Sequence, residues 1–173
     1  MTTTRPTSRN VRNLVTLLSA AVVAAGCAGA TSQAAPPAGD GQRNAQIVRD
    51  GLARGVGGPD TFYALLAEDV QWTVARAATP RTYTSRQEFL DVAAGPIVDR
   101  LTGPIRAEVH EIIADQDRVV ARWRGTATAR DGQPYVNEYN WVMALADDQI
   151  TRVVAYLDFV ELDALIARVP LAS

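Results

Sequence analysis

The sequence contains no lysine, one histidine (His110) and one cysteine (Cys27). Without lysine the chain cannot form a Schiff base with a carbonyl substrate, and a single cysteine cannot close an intrachain disulfide. One histidine and one cysteine are also too few for a typical transition-metal site. The sequence has no glycine-rich phosphate loop and no serine–histidine–aspartate signature. We therefore expect neither a metal nor an organic cofactor.

Basic residues are outnumbered by acidic ones over most of the chain. All 19 acidic residues, but only 14 of the 17 arginines, follow residue 26, so this part is net negative. A negative surface repels phosphate backbones, and we expect no nucleic-acid partner. With 173 residues, 47% of them hydrophobic, the chain has room for one globular domain.

The amino terminus has the pattern of an export signal. Residues 1–13 are polar and basic, and an uncharged stretch follows at residues 14–26. This stretch is too short to span a bilayer, which takes about 20 residues. It predicts a signal peptide over residues 1–26.

The small residues that end this stretch, Ala24-Ala25-Gly26, lead directly into Cys27 and resemble the lipobox of bacterial lipoproteins. The resemblance implies that Cys27 is acylated, becomes the new terminus and holds the protein at a membrane of the cell envelope. The alternative is an ordinary signal peptide and a secreted protein. Residues 27–42 hold no large apolar side chain and predict a flexible linker. Residues 43–173 are then the domain.

The first part of this domain has mostly helical periodicity. Apolar residues within 45–52 fit one face of a first helix, and a second helix is predicted over Asp60–Ala67. Alternation predicts a short strand over Val70–Val74. A capping-box spacing at Ser85–Glu88 begins a third helix, with a break expected at Gly95-Pro96.

Four long alternating runs follow, separated by short polar turns: Ile105–Ala114, Val119–Ala129, Tyr135–Leu145 and Ile150–Leu157. Close spacing and short turns predict an antiparallel meander. A final helix is predicted from Phe159 to about Arg168. A chain with this order lays its helices on one face of a curved antiparallel sheet, so the predicted fold class is α+β.

Four segments of the sequence, in this order, resemble the SnoaL-like and ketosteroid-isomerase-like branch of the nuclear transport factor 2-like superfamily. They are residues 64–72, 119–125, 135–142 and 150–158. The resemblance implies a cone-shaped curved sheet, with three amino-terminal helices packed on it, around a pocket for a small apolar or aromatic molecule. Because the family includes isomerases, cyclases and members with no reaction, an enzyme using cofactor-free proton transfer and a non-catalytic binding module stay open.

Two characterised branches of the superfamily have catalytic carboxylates that this chain lacks at the matching positions. Where ketosteroid isomerases have an aspartate on the first strand, the sequence reads Trp72-Thr73-Val74-Ala75. Limonene-epoxide-hydrolase-like members have an arginine that Arg122 matches, but Arg124 and Ala155 stand where their two carboxylates should be. We expect neither of these specific activities.

Two residues are candidates for proton transfer. His110 lies in the middle of a predicted strand, and strict alternation puts Glu108 and Ile112 on its face. Its side chain titrates near neutral pH, but it can equally lie on the polar outer face of the sheet. Asp158 stands where SnoaL-like members often carry an acid at the pocket. It also stands three residues before Glu161, as a helix N-cap does.

Alternating polar and aromatic residues suggest the wall of a pocket. Asn137, Tyr139 and Trp141 share one face of a strand and suit a flat ligand oriented by a few hydrogen bonds, with Tyr139 as a further catalytic candidate. The alternatives are cross-strand packing or a homodimer surface on the outer sheet face. Trp72 and Trp123 fit either the wall of the same cavity or the core.

Two arginines, Arg122 and Arg124, share one face of their strand. With Glu108 and Glu138 on neighbouring strands they are expected to form surface ion pairs of small net energy. Anion binding is the alternative.

Overall fold

The computed structural model describes residues 40–171 of the chain. The predicted signal peptide, Cys27 and most of the predicted linker lie outside the described residues. Within residues 40–171, no helix is long and apolar enough to cross a membrane. The first helix begins at Asp40, three residues inside the predicted linker. Asp40 favours this start because its carboxylate lies at the positive end of the helix dipole.

The described elements alternate between short helices and longer strands. They are α1 (Asp40–Ala53), a 3-10 turn (Phe62–Leu65), β1 (Leu66–Val74), β2 (Arg81–Tyr83), α2 (Arg86–Phe89), a π-helical turn (Leu90–Ala94), α3 (Gly95–Val98), β3 (Arg106–Asp115), β4 (Arg118–Thr128), β5 (Pro134–Ala146), β6 (Gln149–Leu157) and α4 (Phe159–Arg168).

The strands form one curved sheet in the order β2-β1-β6-β5-β4-β3. Strands β3 to β6 are the predicted meander, and each strand end lies within one residue of its predicted position. All pairings are antiparallel except that of β1 with β6, which is parallel and was not anticipated from the sequence. The predicted α+β class with a curved sheet is confirmed.

The chain between α1 and β1 differs from the prediction. Instead of a helix over Asp60–Ala67 there is a single 3-10 turn, and β1 begins at Leu66. The apolar spacing of Phe62, Leu65 and Leu66 fits a helix as well as a turn that leads into a strand, so short runs of this kind are ambiguous. The three-residue strand β2 was not predicted.

The elements α2, the π-turn and α3 run on without interruption from Arg86 to Val98, and we call them the helical segment. Its start is the predicted capping box: the Glu88 amide donates to Ser85 Oγ at 3.1 Å, and the Thr84 amide donates to the Glu88 carboxylate at 2.9 Å. The helix does not break at Gly95-Pro96 as predicted. It widens just before this pair into the π-turn, where the Gly95 amide donates to the Leu90 carbonyl. Pro96 has no backbone N–H, so it cannot donate one of the regular hydrogen bonds of the helix.

The helices cover one face of the sheet, which we call the inner face. Along β5 every second side chain points inward and is buried, from Tyr135 to Leu145. Val48 and Leu52 of α1 pack on the same core, and Val56 pairs through its backbone with Ile105 at the start of β3. This arrangement leaves a space between the helical segment and the middle of the sheet.

Candidate functional site

An apolar cavity of about 80 Å³ lies between the helical segment and the inner face of the sheet. All three tryptophans of the chain, Trp72, Trp123 and Trp141, line it together with Tyr63 and Tyr139. The remaining wall residues are Val56, Val74, Phe89, Ala93, Ala94, Ile97, Val98, Ile105, Ala155, Leu157 and Leu162. Among these described wall residues no side chain is a carboxylate, an amide or an imidazole.

The aromatic side chains form one connected cluster along this wall. The rings of Trp123 and Tyr139, which are cross-strand partners, stack with centroids 4.1 Å apart. Trp141 meets Trp123 and Trp72 edge-to-face at 4.8 and 5.1 Å. Trp72 in turn stacks on Phe89 of the helical segment at 4.0 Å. The predicted pocket tryptophans are therefore both cavity wall and core.

Gly125 of β4 shapes this wall, and sequence reasoning missed it. A Cβ atom at this position would lie 2.7 Å from Ile105 Cγ2, 2.8 Å from Tyr139 Cε2 and 3.0 Å from Trp123 Cζ3. All three side chains line the cavity, so the missing side chain lets them approach one another. A glycine inside a strand pattern is the sequence signal for such a close approach.

A hydrogen-bond network joins Tyr135, Asn137 and Tyr139 to the start of α4. The Asn137 amide group donates to the Asp158 carbonyl and accepts from the Asp158 amide, both at 2.9 Å. Its Nδ2 also donates to the Tyr135 hydroxyl at 2.9 Å, which lies 3.0 Å from the Tyr139 hydroxyl. Asn137, a predicted ligand-binding residue, is thus not on the cavity wall; it extends the pairing of β5 with the end of β6.

The phenols around the cavity are held in the neutral form. Burial raises the pKa of Tyr63 and of Tyr135, and it raises the pKa of Tyr139 well above its ordinary value. In each case a phenolate would lose its hydration without gaining a cation. All three side chains therefore stay protonated at physiological pH.

Asp158 is the N-cap of α4. Its carboxylate accepts from the amides of Val160 at 2.8 Å and Glu161 at 3.4 Å. The side chain is exposed and does not line the cavity. The geometry thus supplies the capping role that the sequence suggested as one of two alternatives.

His110 occupies a β-bulge in β3. Val109 pairs with Trp123, and Glu111 pairs with Arg122, so His110 is the additional residue between two regular pairs. A bulge of this kind interrupts the alternation of side chains along the strand.

His110 lies with Glu108 on the outer face of the sheet, outside the cavity. The faces predicted for the residues after it are wrong: Ile112 packs on the core, whereas Ile113 is 58% exposed. Strict alternation assigned them the other way round because it has no signal for the additional residue. On the outer face His110 Nε2 lies 3.6 Å from Glu138 Oε2.

The three catalytic candidates do not meet in the cavity. Tyr139 lines it, but His110 and Asp158 do not. All three border a shallow depression on the outer face, yet the Tyr139 ring lies on the inner side, stacked on Trp123.

The predicted ion pairs lie on this outer face. Arg124 Nε is 2.6 Å from Glu138 Oε1, and it lowers the pKa of that carboxyl. Arg122 pairs with Glu111 at 3.9 Å, in place of the expected Glu108. These side chains are about half exposed, so water and salt screen each pair and its net contribution to stability is small.

An apolar row crosses the outer face between polar residues. Ile113, Val120, Val142 and Val154 are successive cross-strand partners on β3, β4, β5 and β6. The homodimer suggested by the sequence stays a prediction, and it would form through this row of apolar side chains.

The family model of SnoaL-like domains matches residues 48–153, which cover most of the sheet and the helical segment. The chain belongs to the SnoaL-like domain family. The predicted resemblance to SnoaL-like and nuclear transport factor 2-like proteins is confirmed. No curated protein matches the chain.

Several solved structures share the fold of this SnoaL-like domain. A protein from Jannaschia sp. CCS1 named as a SnoaL-like polyketide cyclase superimposes with a TM-score of 0.60 at 15% identity, covering 80% of this chain and 99% of that one. A nuclear transport factor 2-like protein from Anabaena variabilis gives 0.58 at 13% identity, over 72% and 94%. TerC, co-crystallised with polyporic acid, gives 0.55 at 20% identity, over 72% and 98%. At these identities the likeness shows the fold.

Proposed function

We propose that this SnoaL-like domain binds a small apolar or aromatic molecule in the cavity between the helical segment and the sheet. The observation that carries the proposal is the wall itself, which is built from all three tryptophans, two neutral tyrosines and aliphatic side chains. Such a surface favours apolar ligands, since it offers them burial and aromatic contacts. TerC, a structure of the same fold, was co-crystallised with the small molecule polyporic acid.

Binding without catalysis is favoured over isomerase- or cyclase-type proton transfer. His110 and Asp158, the two candidates for the proton-transferring group, lie outside the cavity. A general base must come within hydrogen-bond reach of the proton it removes. The only titratable groups on the described wall are phenols, and their raised pKa values keep them protonated at neutral pH, so that they cannot accept a proton.

The size of the cavity bears on how a ligand enters. An engineered cavity of about 150 Å³ is known to bind benzene, whereas this one measures about 80 Å³. A larger ligand therefore requires the helical segment to move outward. The partly exposed wall residues Val74, Ala93, Ile97, Val98 and Leu157 mark the side on which the cavity meets solvent. The π-turn within the helical segment supports such a movement, because π-turns are frequent at functional sites.

Filling the cavity should weaken ligand binding. Ala155 is buried on its wall between Val74 and Trp141, and Ala155→Leu adds three carbon atoms there. We expect the affinity for ethylbenzene to fall at least about tenfold, because the added atoms occupy ligand space. The three indole N–H signals in NMR titrations report on binding, since every tryptophan lines the cavity. Ala164→Leu, on the exposed side of α4, is the control and should bind as the wild type does. Unchanged binding by a folded Ala155→Leu protein would place the ligand elsewhere.

We also propose that the domain is exported and held at a membrane by lipid on Cys27, where apolar ligands concentrate. The support is the lipobox-like Ala24-Ala25-Gly26-Cys27 after an uncharged stretch. Mass spectrometry of the protein from a bacterial host should show a mature chain that starts at an acylated Cys27. Cys27→Ser should release it from the membrane fraction. A mature terminus with an unmodified Cys27 would contradict lipidation and leave the cavity proposal intact.

A further inference from the structure

The hydrogen bonds of Asn137 beside the cavity have a fixed direction. The Asp158 amide can only donate, so the Asn137 atom that accepts from it is Oδ1, and Nδ2 is left to donate to the Tyr135 oxygen. Tyr135 is 2% exposed, and the acceptor available for its own proton among the described residues is the Tyr139 oxygen. Either phenol can donate in the bond that joins them, and only the direction from Tyr135 to Tyr139 uses the buried proton of Tyr135.

This direction leaves the Tyr139 hydroxyl as an unused donor at the cavity wall. Its oxygen accepts from Tyr135, and its own proton has no acceptor among the described residues. The opposite direction would leave the Tyr135 proton unpaired instead, and Tyr135 does not reach the cavity. Donors that accept a hydrogen bond themselves become stronger donors, so the network polarises Tyr139.

A second wall residue carries an unused donor. Trp123 is fully buried, and its Nε1 has no hydrogen-bond partner within residues 40–171. Its ring stacks on Tyr139, so both donors belong to one part of the wall. Buried hydrogen-bond donors without a partner are rare in folded proteins, and a bound ligand is one way to supply the partner.

We propose that the natural ligand is a neutral molecule with a hydrogen-bond acceptor, such as a ketone, quinone or ester oxygen, and that Tyr139 donates to it. This inference rests on the binding function proposed above. It adds that the cavity discriminates by polarity as well as by size. An apolar wall penalises a charged ligand, and a ligand hydroxyl or amine finds no carboxylate, amide or imidazole on the described wall to accept its proton.

Three compounds with one carbon skeleton test this selectivity: ethylbenzene, acetophenone and 1-phenylethanol, titrated into the full-length chain. We expect acetophenone to bind about tenfold more tightly than ethylbenzene, as one additional hydrogen bond gives. 1-Phenylethanol should bind less tightly than acetophenone, because its own O–H group would be buried unpaired. The carbonyl stretch of bound acetophenone should lie at lower frequency than in hexane.

Two tyrosine variants locate the donor. Tyr139→Phe should bring the affinity ratio of acetophenone to ethylbenzene to within about twofold of one. The matched control Tyr83→Phe removes the hydroxyl of another buried tyrosine, outside the cavity wall, and should keep the tenfold ratio. The inference would be overturned if the wild type bound acetophenone and ethylbenzene equally well, or if Tyr139→Phe kept the tenfold ratio of the two affinities. It would also be overturned if the carbonyl stretch of bound acetophenone had the frequency measured in hexane. In each case binding of ethylbenzene would still support the proposed function. Failure of all three compounds to bind would overturn both.

Discussion

Replacing Trp141 by alanine should lower the free energy of unfolding by about 3–5 kcal/mol, the range for deleting a large buried aromatic side chain. Trp141 is 3% exposed and lies at the centre of the aromatic cluster. Its ring contacts Phe62, Trp72, Trp123 and Tyr139, with centroids between 4.8 and 5.9 Å away. Deletion would therefore separate the stacked rings of Trp123 and Tyr139 from those of Phe62 and Trp72.

Urea unfolding followed by circular dichroism measures this loss. Tyr156→Ala is the control, because Tyr156 is an aromatic residue on the neighbouring strand, 50% exposed on the outer face. We expect that variant to lose less than about 1 kcal/mol. If the two variants lost similar amounts, the aromatic cluster would not be the centre of the core.

Asn137→Leu should destabilise the fold by about 3 kcal/mol, although leucine has nearly the same size and is more hydrophobic. Three groups would lose a hydrogen bond: the amide and the carbonyl of Asp158, and the hydroxyl of Tyr135, which keeps its bond to Tyr139. Each polar group left unpaired out of water costs about 1–3 kcal/mol, and partial access to water at Asp158 keeps the total near the lower end.

The matched control for this variant is Asn140→Leu, three residues along the same strand. Asn140 is exposed on the outer face, and we expect its replacement to change the free energy of unfolding by about 0.5 kcal/mol or less. Chemical denaturation of both variants gives the comparison. A stable Asn137→Leu protein would show that the network does not fasten the start of α4 to β5.

The strands of the meander could be predicted because their signals are local. Alternation with a period of two defines β3 to β6, and polar turns separate them, as at Asp147-Asp148, where both residues have positive φ. The capping residues Ser85 and Asp158 were readable for the same reason, since a cap and the amides it accepts from lie within three residues.

The site was predicted less completely, because its residues meet only in the folded chain. The tryptophans and Tyr139 could be placed on inward faces from alternation, and the structure brings them to one cavity. The same alternation grouped Asn137 with them, but it could not show that Asp158, 21 residues away, takes up its amide. Gly125 was missed because its role depends on side chains that meet there only in the folded chain, including Tyr139 of β5 and Ile105 just before β3.

The sequence by itself determined the α+β class, the meander, the family resemblance and the aromatic nature of the pocket, since all of these follow from residue type and short-range spacing. Only the tertiary structure decided that His110 lies outside the cavity, since alternation could not tell which face of β3 is covered. It also decided the faces of Ile112 and Ile113, because a single bulge residue reverses the faces that follow it. The tertiary structure also decided the parallel pairing of β1 with β6 and the hydrogen bonds that join Asn137 to Asp158 and Tyr135. These features depend on contacts between residues far apart in the chain, for which local periodicity has no signal.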